Sequence, residues 1–238
     1  MELEILHEDN HIIVVNKPQG IPSQPDETGD EDLLTMVKNY IKEKYNKPGE
    51  AYVGLVHRLD RPTGGAMVFA KTSKAASRLA EQMKNGEFDK TYFAVVCGRP
   101  RDAKGKIVSY LKKDTKTNTV LTVPQTTDGA KRAELDYETL EHNPETNHSL
   151  VRVKLYTGRG HQIRVQMKTI KCPIFGDQKY GGENMPKYML NLFAVELSFF
   201  HPTTKQKLIF RVYPPEKNRA WNEFNLEKHL SLKTNNND

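Results

Sequence analysis

The chain has 238 residues, enough to bury a sizeable core, and a formal net charge of +6 that alone names no partner. Only Cys97 and Cys172 occur, without a CxxC pair or a cysteine–histidine cluster, so neither a disulfide framework nor a metal site is expected. The acidic start MELEILHEDN lacks a basic stretch ahead of an apolar one, and no apolar run approaches the roughly 20 residues of a membrane helix, so the expectation is a soluble, cytoplasmic protein without a membrane partner.

In chain order, LEILHEDNHIIVVNKP predicts two short strands around a turn, ended by Pro18 and followed by a Pro/Gly/Asp-rich loop over 20–30. Leu33, Leu34, Val37, Tyr40 and Ile41 recur at helical spacing and predict an amphipathic helix over 31–46. GAMVFAKT is a strand, and a helix over 73–85 follows with Ala76, Leu79, Ala80 and Met83 inward and Gly86 as its C-cap. KTYFAVV, KIVSYL, NTVLTV, AELDYETLE and SLVRVKLYT read as strands joined by short polar turns, which favours antiparallel pairing. GHQIRVQMKTIK forms a helix with Ile163, Met167 and Ile170 on one side, and LFAVELSFFHP and KLIFRVYPP return to strand. The class is α+β, a long, mainly antiparallel sheet with flanking helices and loops. One domain is expected over 1–225, with a C-terminal tail over 226–238 that ends in a frayed LKTNNND.

Charge is uneven along the chain. Residues 1–32 carry nine acids against Lys17 alone, whereas residues 99–117 carry seven basic residues against Asp102 and Asp114. Such clustering is the footprint of a protein that meets a polyanion, although charge runs also serve as solvated faces. Phosphate-loop, dinucleotide, HExxH and GxSxG motifs are all missing. SYLK fits SxxK but stands alone in a strand and is assigned to chance, and His7 and His11 lack a third ligand nearby.

The stretch HRLDRPTGG sets Asp60 between Arg58 and Arg61 and then breaks into Pro62, Gly64 and Gly65. Nearby positive charge favours an ionised carboxylate, and glycines allow close backbone approach. A surface turn with a local ion pair explains the same residues.

Taken together, EDNHIIVVNKPQG, HRLDRPTGG, KTYFAVV, TGRGHQIRVQ and GDQKYGG resemble the RluA family of RNA pseudouridine synthases, in the family's order and over about Ile5 to Tyr213. Pro62 and Gly64 depart from the usual HRLDRDTSG loop, and Gly160 and Gln166 stand where the family more often has Thr and His. The chain starts at the catalytic strand, so the resemblance implies a short form without the basic domain that many relatives carry in front.

The resemblance implies a pseudouridine synthase fold and a cofactor-free, metal-free isomerisation of uridine in ribosomal or transfer RNA, by a monomer. Asp60 would be the essential carboxylate, as nucleophile or as base, and Arg164 its charge partner. Tyr92 would stack on the target base, with Ile163 on its other side; an aromatic in a strand otherwise reads as core filling. Arg58 would enter the gap left by the extruded nucleotide. His57, Arg61 and Thr63 are grouped with the substrate-binding loop, His57 rather as its support. Lys17, Pro18, Gly176 and Asp177 match family positions and read as scaffold. Lys71, Lys74, Lys112, Lys113 and Arg159 are candidate phosphate contacts, or ordinary wet surface. The rival readings are a catalytically inactive protein that binds or folds RNA and a glycosidase-like hydrolase of nucleosides, which would need a second acid and a bound water.

Overall fold

A computed structural model describes residues 3–46, 48–215 and 219–230. The chain divides into two compact units, Met1–Lys90 with Glu196–Val212, and Thr91–Val195 with Tyr213–Asp238.

The first unit contains β1 (Ile5–Glu8), β2 (Ile12–Lys17), α1 (Leu33–Lys44), β3 (Gly54–Leu55), β4 (Gly64–Ala70) and α2 (Ser73–Asn85). The strand order is β1-β2-β4, with β3 also on β4, and these pairings are antiparallel. Ile12–Val15 of β2 and Ala66–Ala70 of β4 are buried on both faces, which is why these strands read as unbroken apolar runs. Asp32 caps α1 by accepting from the Thr35 N–H, and Thr72 caps α2 by accepting from that of Ala75. Gly86 ends α2 in the left-handed region at φ +75°. The buried stripe of α2 is Ala75, Leu79 and Gln82, so the expected inward face is rotated: Ala80 is exposed, and Gln82 is drawn in because its amide pairs with both the N–H and C=O of Phe200 at 2.8 Å.

The second unit contains β5 (Asp89–Cys97, from Thr91), β6 (Lys104–Asp114), β7 (Thr119–Val123), β8 (Lys131–Asn143), β9 (His148–Leu155) and α3 (Gln162–Thr169). The order β5-β9-β8-β6-β7 is antiparallel throughout. α3 packs on β6 and β7, and Leu111, Val120, Ala133, Val165 and Tyr180 form the core beneath it. Strand β10 (Leu192–Phe200) begins in this unit and ends in the first, where β11 (Lys207–Arg211) pairs with it.

The stretch expected as a tail over 226–238 begins with a helix. Helix α4 (Leu226–His229) and the one-turn 3-10 helix Arg219–Glu223 belong to the second unit. Arg152 donates to the His229 carbonyl (2.9 Å), and Tyr213 donates to that of Leu230 (2.8 Å). The segment LKTNNND lies outside the described residues. Among the described residues, no helix is long and apolar enough to cross a membrane.

Candidate active site

The HRLDRPTGG loop leads into β4, and its backbone is held from the segment that follows β2. Lys17 ends β2 and is 0% exposed. Its ammonium donates to the carbonyls of Pro18 (3.0 Å), Arg61 (3.2 Å) and Thr63 (2.7 Å). Burial pushes Lys17 down to about 7, the Asp60 carboxylate pulls it back up, and Arg61 adds a smaller downward push. Gln19 donates to the Pro62 carbonyl (2.8 Å), and the Gly20 N–H donates to that of Arg61 (2.8 Å). The Ser23 hydroxyl donates to the Leu59 carbonyl (2.7 Å) and accepts from the Leu59 N–H (3.1 Å). The Thr63 N–H closes a turn on the Asp60 carbonyl (2.8 Å). Gly65 enters β4 at φ +125°, a conformation that only glycine adopts readily. Asp60 itself is half-buried, its side chain presented by a loop in which the carbonyls from Leu59 to Thr63 all accept a hydrogen bond.

His57, Arg61 and Thr63, grouped with the substrate loop, each have a definite place. His57 is buried, accepts the Val68 N–H at Nε2 (3.2 Å) and packs edge-on against Phe88. Burial, with a smaller push from Lys90, lowers its pKa to about 3, so it is a neutral support. Thr63 is buried as well. Arg61 points back at the acidic loop, donating to Gly20 O, to Thr28 Oγ1 and to the Asp30 carboxylate, so the local ion pair read from sequence exists but is made with Asp30. Arg58 is exposed.

Lys71 is also corrected. Its Nζ pairs with Glu8 (2.6 Å) and its side chain is only 8% exposed, so it is not offered to a phosphate. Burial would raise the Glu8 pKa, but hydrogen bonds from Lys44, Lys71, Tyr45 and Tyr40 overcome it and hold the carboxyl at about 2. Lys74 is exposed.

The second unit carries Tyr92, Ile163 and Arg164. Tyr92 lies on β5 opposite Val153 and is buried. Ile163 and Arg164 lie in the first turn of α3, every residue of which from 162 to 167 is buried. Arg164 makes a two-pronged pair with Asp177, Nε to Oδ2 at 2.8 Å and Nη2 to Oδ1 at 2.7 Å. Asp177 in turn accepts from the N–H groups of Lys179 and Tyr180, and the Tyr180 ring lies 5.0 Å from the guanidinium. The Tyr180 hydroxyl accepts from the Val120 N–H and sits 2.6 Å from His161 Nδ1, where His161 opens α3 at φ +53°. Asp177 is therefore more than scaffold: it sets where the Arg164 guanidinium points.

The departures in this segment also find their places. Gln166 donates to Ile107 O, Ser109 Oγ and Ala133 O, pinning α3 to β6 and β8. An added Cβ on Gly160 would meet nothing within 4 Å, so the glycine leaves open space. Lys112, Lys113 and Arg159 are exposed, with Arg159 Nε on the Arg132 carbonyl. Lys104 and Lys106 are paired with Glu138 and Glu134, which removes part of the basic cluster read from sequence. Among the described residues, no group of three or more His, Cys, Asp or Glu side chains is arranged to hold a metal ion.

Two solved human structures share this architecture. RNA pseudouridylate synthase domain containing 4 matches with a TM-score of 0.74 at 24% identity, over 91% of this chain and 90% of its own. RNA pseudouridylate synthase domain containing 1 matches with a TM-score of 0.69 at 24% identity, over 90% and 84%. The fold is that of a pseudouridylate synthase domain. In sequence, residues 11–169 match the RNA pseudouridylate synthase family. The RNA pseudouridine synthase YhcT of Bacillus subtilis is 36% identical over 209 residues, 87% of this chain and 67% of that protein. Ribosomal large subunit pseudouridine synthase D of Yersinia pestis is 36% identical over 216 residues, 90% of this chain and 63% of that protein. The chain belongs to the RNA pseudouridylate synthase family, whose members are isomerases, and it spans about two thirds of the length of these two relatives.

Proposed function

We propose that this protein converts specific uridines of a structured RNA into pseudouridine without a cofactor, with Asp60 as the essential carboxylate and Tyr92 and Arg164 as further catalytic residues. The reaction detaches uracil from ribose, turns the base and rejoins it through carbon, so no oxidant and no net water enter the balance. Breaking the glycosidic bond develops positive charge on the sugar, which an ionised carboxylate stabilises. The observation that carries this reading is the cage around the Asp60 loop. Lys17, Gln19, Gly20 and Ser23 hold the backbone of Leu59, Arg61, Pro62 and Thr63, leaving Asp60 half-buried on a fixed support. Fixed charges of this kind stabilise a transition state without reorganising when it forms.

Arg58, exposed two residues before Asp60, is suited to fill the gap that an extruded nucleotide leaves. Lys74, Lys112, Lys113 and Arg159 remain proposed phosphate contacts. The RNA is a ribosomal or transfer RNA stem-loop; the printed name of the Yersinia relative makes large-subunit ribosomal RNA the first to examine. The test is site-resolved pseudouridine mapping of total RNA from cells with and without the gene. Loss of specific sites, restored by the parent gene, is the expected result. An unchanged map would overturn the reading, and tight RNA binding without product would replace it with the inactive RNA binder.

A further inference from the structure

Outside the residues assigned above, the second unit carries a ladder of three aromatic rings. His148 is fixed at one end, its Nδ1 within 3.0 Å of the Glu223 carboxylate. Its ring lies 4.5 Å from that of Phe175, and Phe175 is stacked on Tyr188 at 5.6 Å and 28°. Tyr188 ends the ladder and is 59% exposed, with Met189 beside it 52% exposed.

The segment that carries these two residues is bound tightly. Gln178 donates to Pro186 O (2.6 Å), Tyr188 N–H donates to the same carbonyl (2.8 Å), and Asn191 donates to Met189 O (2.9 Å). A Cβ on Gly176 would lie 2.3 Å from Met189 O, so this loop rests directly on the glycine that precedes Asp177. Asp177 is the residue that holds Arg164. Tyr188 is therefore packed against one ring, in a segment held by these hydrogen bonds, and is still more than half exposed.

We propose that Tyr188, extended by Met189, is a stacking platform for an unpaired nucleobase of the RNA substrate. The proposal rests on the RNA reading above and adds a feature of the substrate to it. A nucleobase would continue the ladder as a fourth ring, and stacking on aromatics accepts any base because every base has a π face. The surrounding charge suits a nucleic acid strand. Along the chain, residues 168–191 carry Lys168, Lys171, Lys179 and Lys187 against Glu183 and an Asp177 already taken up by Arg164.

The experiment measures the affinity of the full chain for single-stranded oligouridylate, for the same strand made abasic, and for an RNA duplex. Parent, Tyr188→Ala and Tyr188→Phe are compared by fluorescence anisotropy. Tyr188→Ala is expected to weaken binding of the oligouridylate about 5- to 150-fold, the range of alanine substitutions at single-strand stacking sites. It should leave the abasic strand and the duplex unchanged, and Tyr188→Phe should bind like the parent. Because the side chain is largely exposed and gives up only its stack on Phe175, the melting temperature of Tyr188→Ala should fall by no more than a few degrees. Equal affinity of parent and Tyr188→Ala for oligouridylate, or an equal loss on the abasic strand, would overturn the platform while leaving the RNA reading intact. Failure of the parent to bind any RNA would overturn both.

Discussion

Replacing Asp177 by Asn tests whether this residue, first read as scaffold, is what positions Arg164. The pair is almost fully dry, with side chains 7% and 0% exposed, and each oxygen of the carboxylate takes one guanidinium N–H. Asn keeps the volume but offers one acceptor oxygen, so its NH2 group faces a guanidinium N–H. Removing one member of a buried, hydrogen-bonded ion pair costs about 3–5 kcal/mol, against about 0–1 kcal/mol for an exposed pair. At about 2–4 °C per kcal/mol for a chain of this size, the melting temperature should fall by about 6–20 °C. Urea titration gives the stability change, and single-turnover kinetics on the mapped RNA give the chemical step. The rate should fall with little change in RNA affinity, since Asp177 itself is buried. A stability loss below about 1 kcal/mol together with an unchanged rate would refute the reasoning, because it would mean that the pair behaves as a solvated one.

Lys17→Met removes the ammonium that serves two carbonyls of the loop, Arg61 and Thr63, and that of Pro18, and each orphaned group costs about 1–3 kcal/mol, so kcat should drop far more than RNA affinity; an unchanged kcat would dismiss the cage. With Lys17 pushed down from 10.5 to about 7, the unfolded chain holds a proton that the folded one has lost across that window, so stability should rise with pH there in the parent and not in Lys17→Met. The rate should fall over the same window, because a neutral amine has two N–H groups for three carbonyls. For His57, held neutral down to about 3, the unfolded chain takes up the proton first, so stability should fall as pH drops from 6.5 toward 3, by about 1.4 kcal/mol per unit from this group. His57→Gln should lack that slope, and equal slopes would place the ring in water. Lys112→Gln and Lys113→Gln should each lower the salt dependence of RNA binding by about 0.7–0.9 in the logarithmic slope, whereas Lys71→Gln should lower stability and leave the slope alone. The reverse pattern would exchange their roles.

Local signals were legible in the sequence where structure is local. The caps of α2, its length and its Gly86 stop follow from neighbouring residues. The inward face of that helix did not, because Gln82 is drawn in by the backbone of Phe200, 118 positions away. β3 is two residues long and exists only through its pairing with β4, so no periodicity announces it. The same distinction governs the site. HRLDRPTGG marks Asp60, but nothing in the sequence says that Lys17, Gln19 and Ser23 bind that loop's backbone across 36 to 46 positions. The basic patch is smaller than the residues along 99–117 suggest, since Lys104 and Lys106 meet Glu138 and Glu134 only once β6 lies against β8. Asp177 looked like scaffold because its pairing with Arg164 joins α3 to the loop that follows it.

The most direct test of the central claim is to map pseudouridine, site by site, in cells lacking the gene and supplied with either the parent or Asp60→Asn. The substitution removes charge at nearly constant volume from a half-buried residue whose loop is held by its backbone, so the folded chain and its RNA affinity should persist. The account predicts that the parent restores the missing pseudouridines and that Asp60→Asn, present at equal level, restores none. Restoration by Asp60→Asn would contradict it.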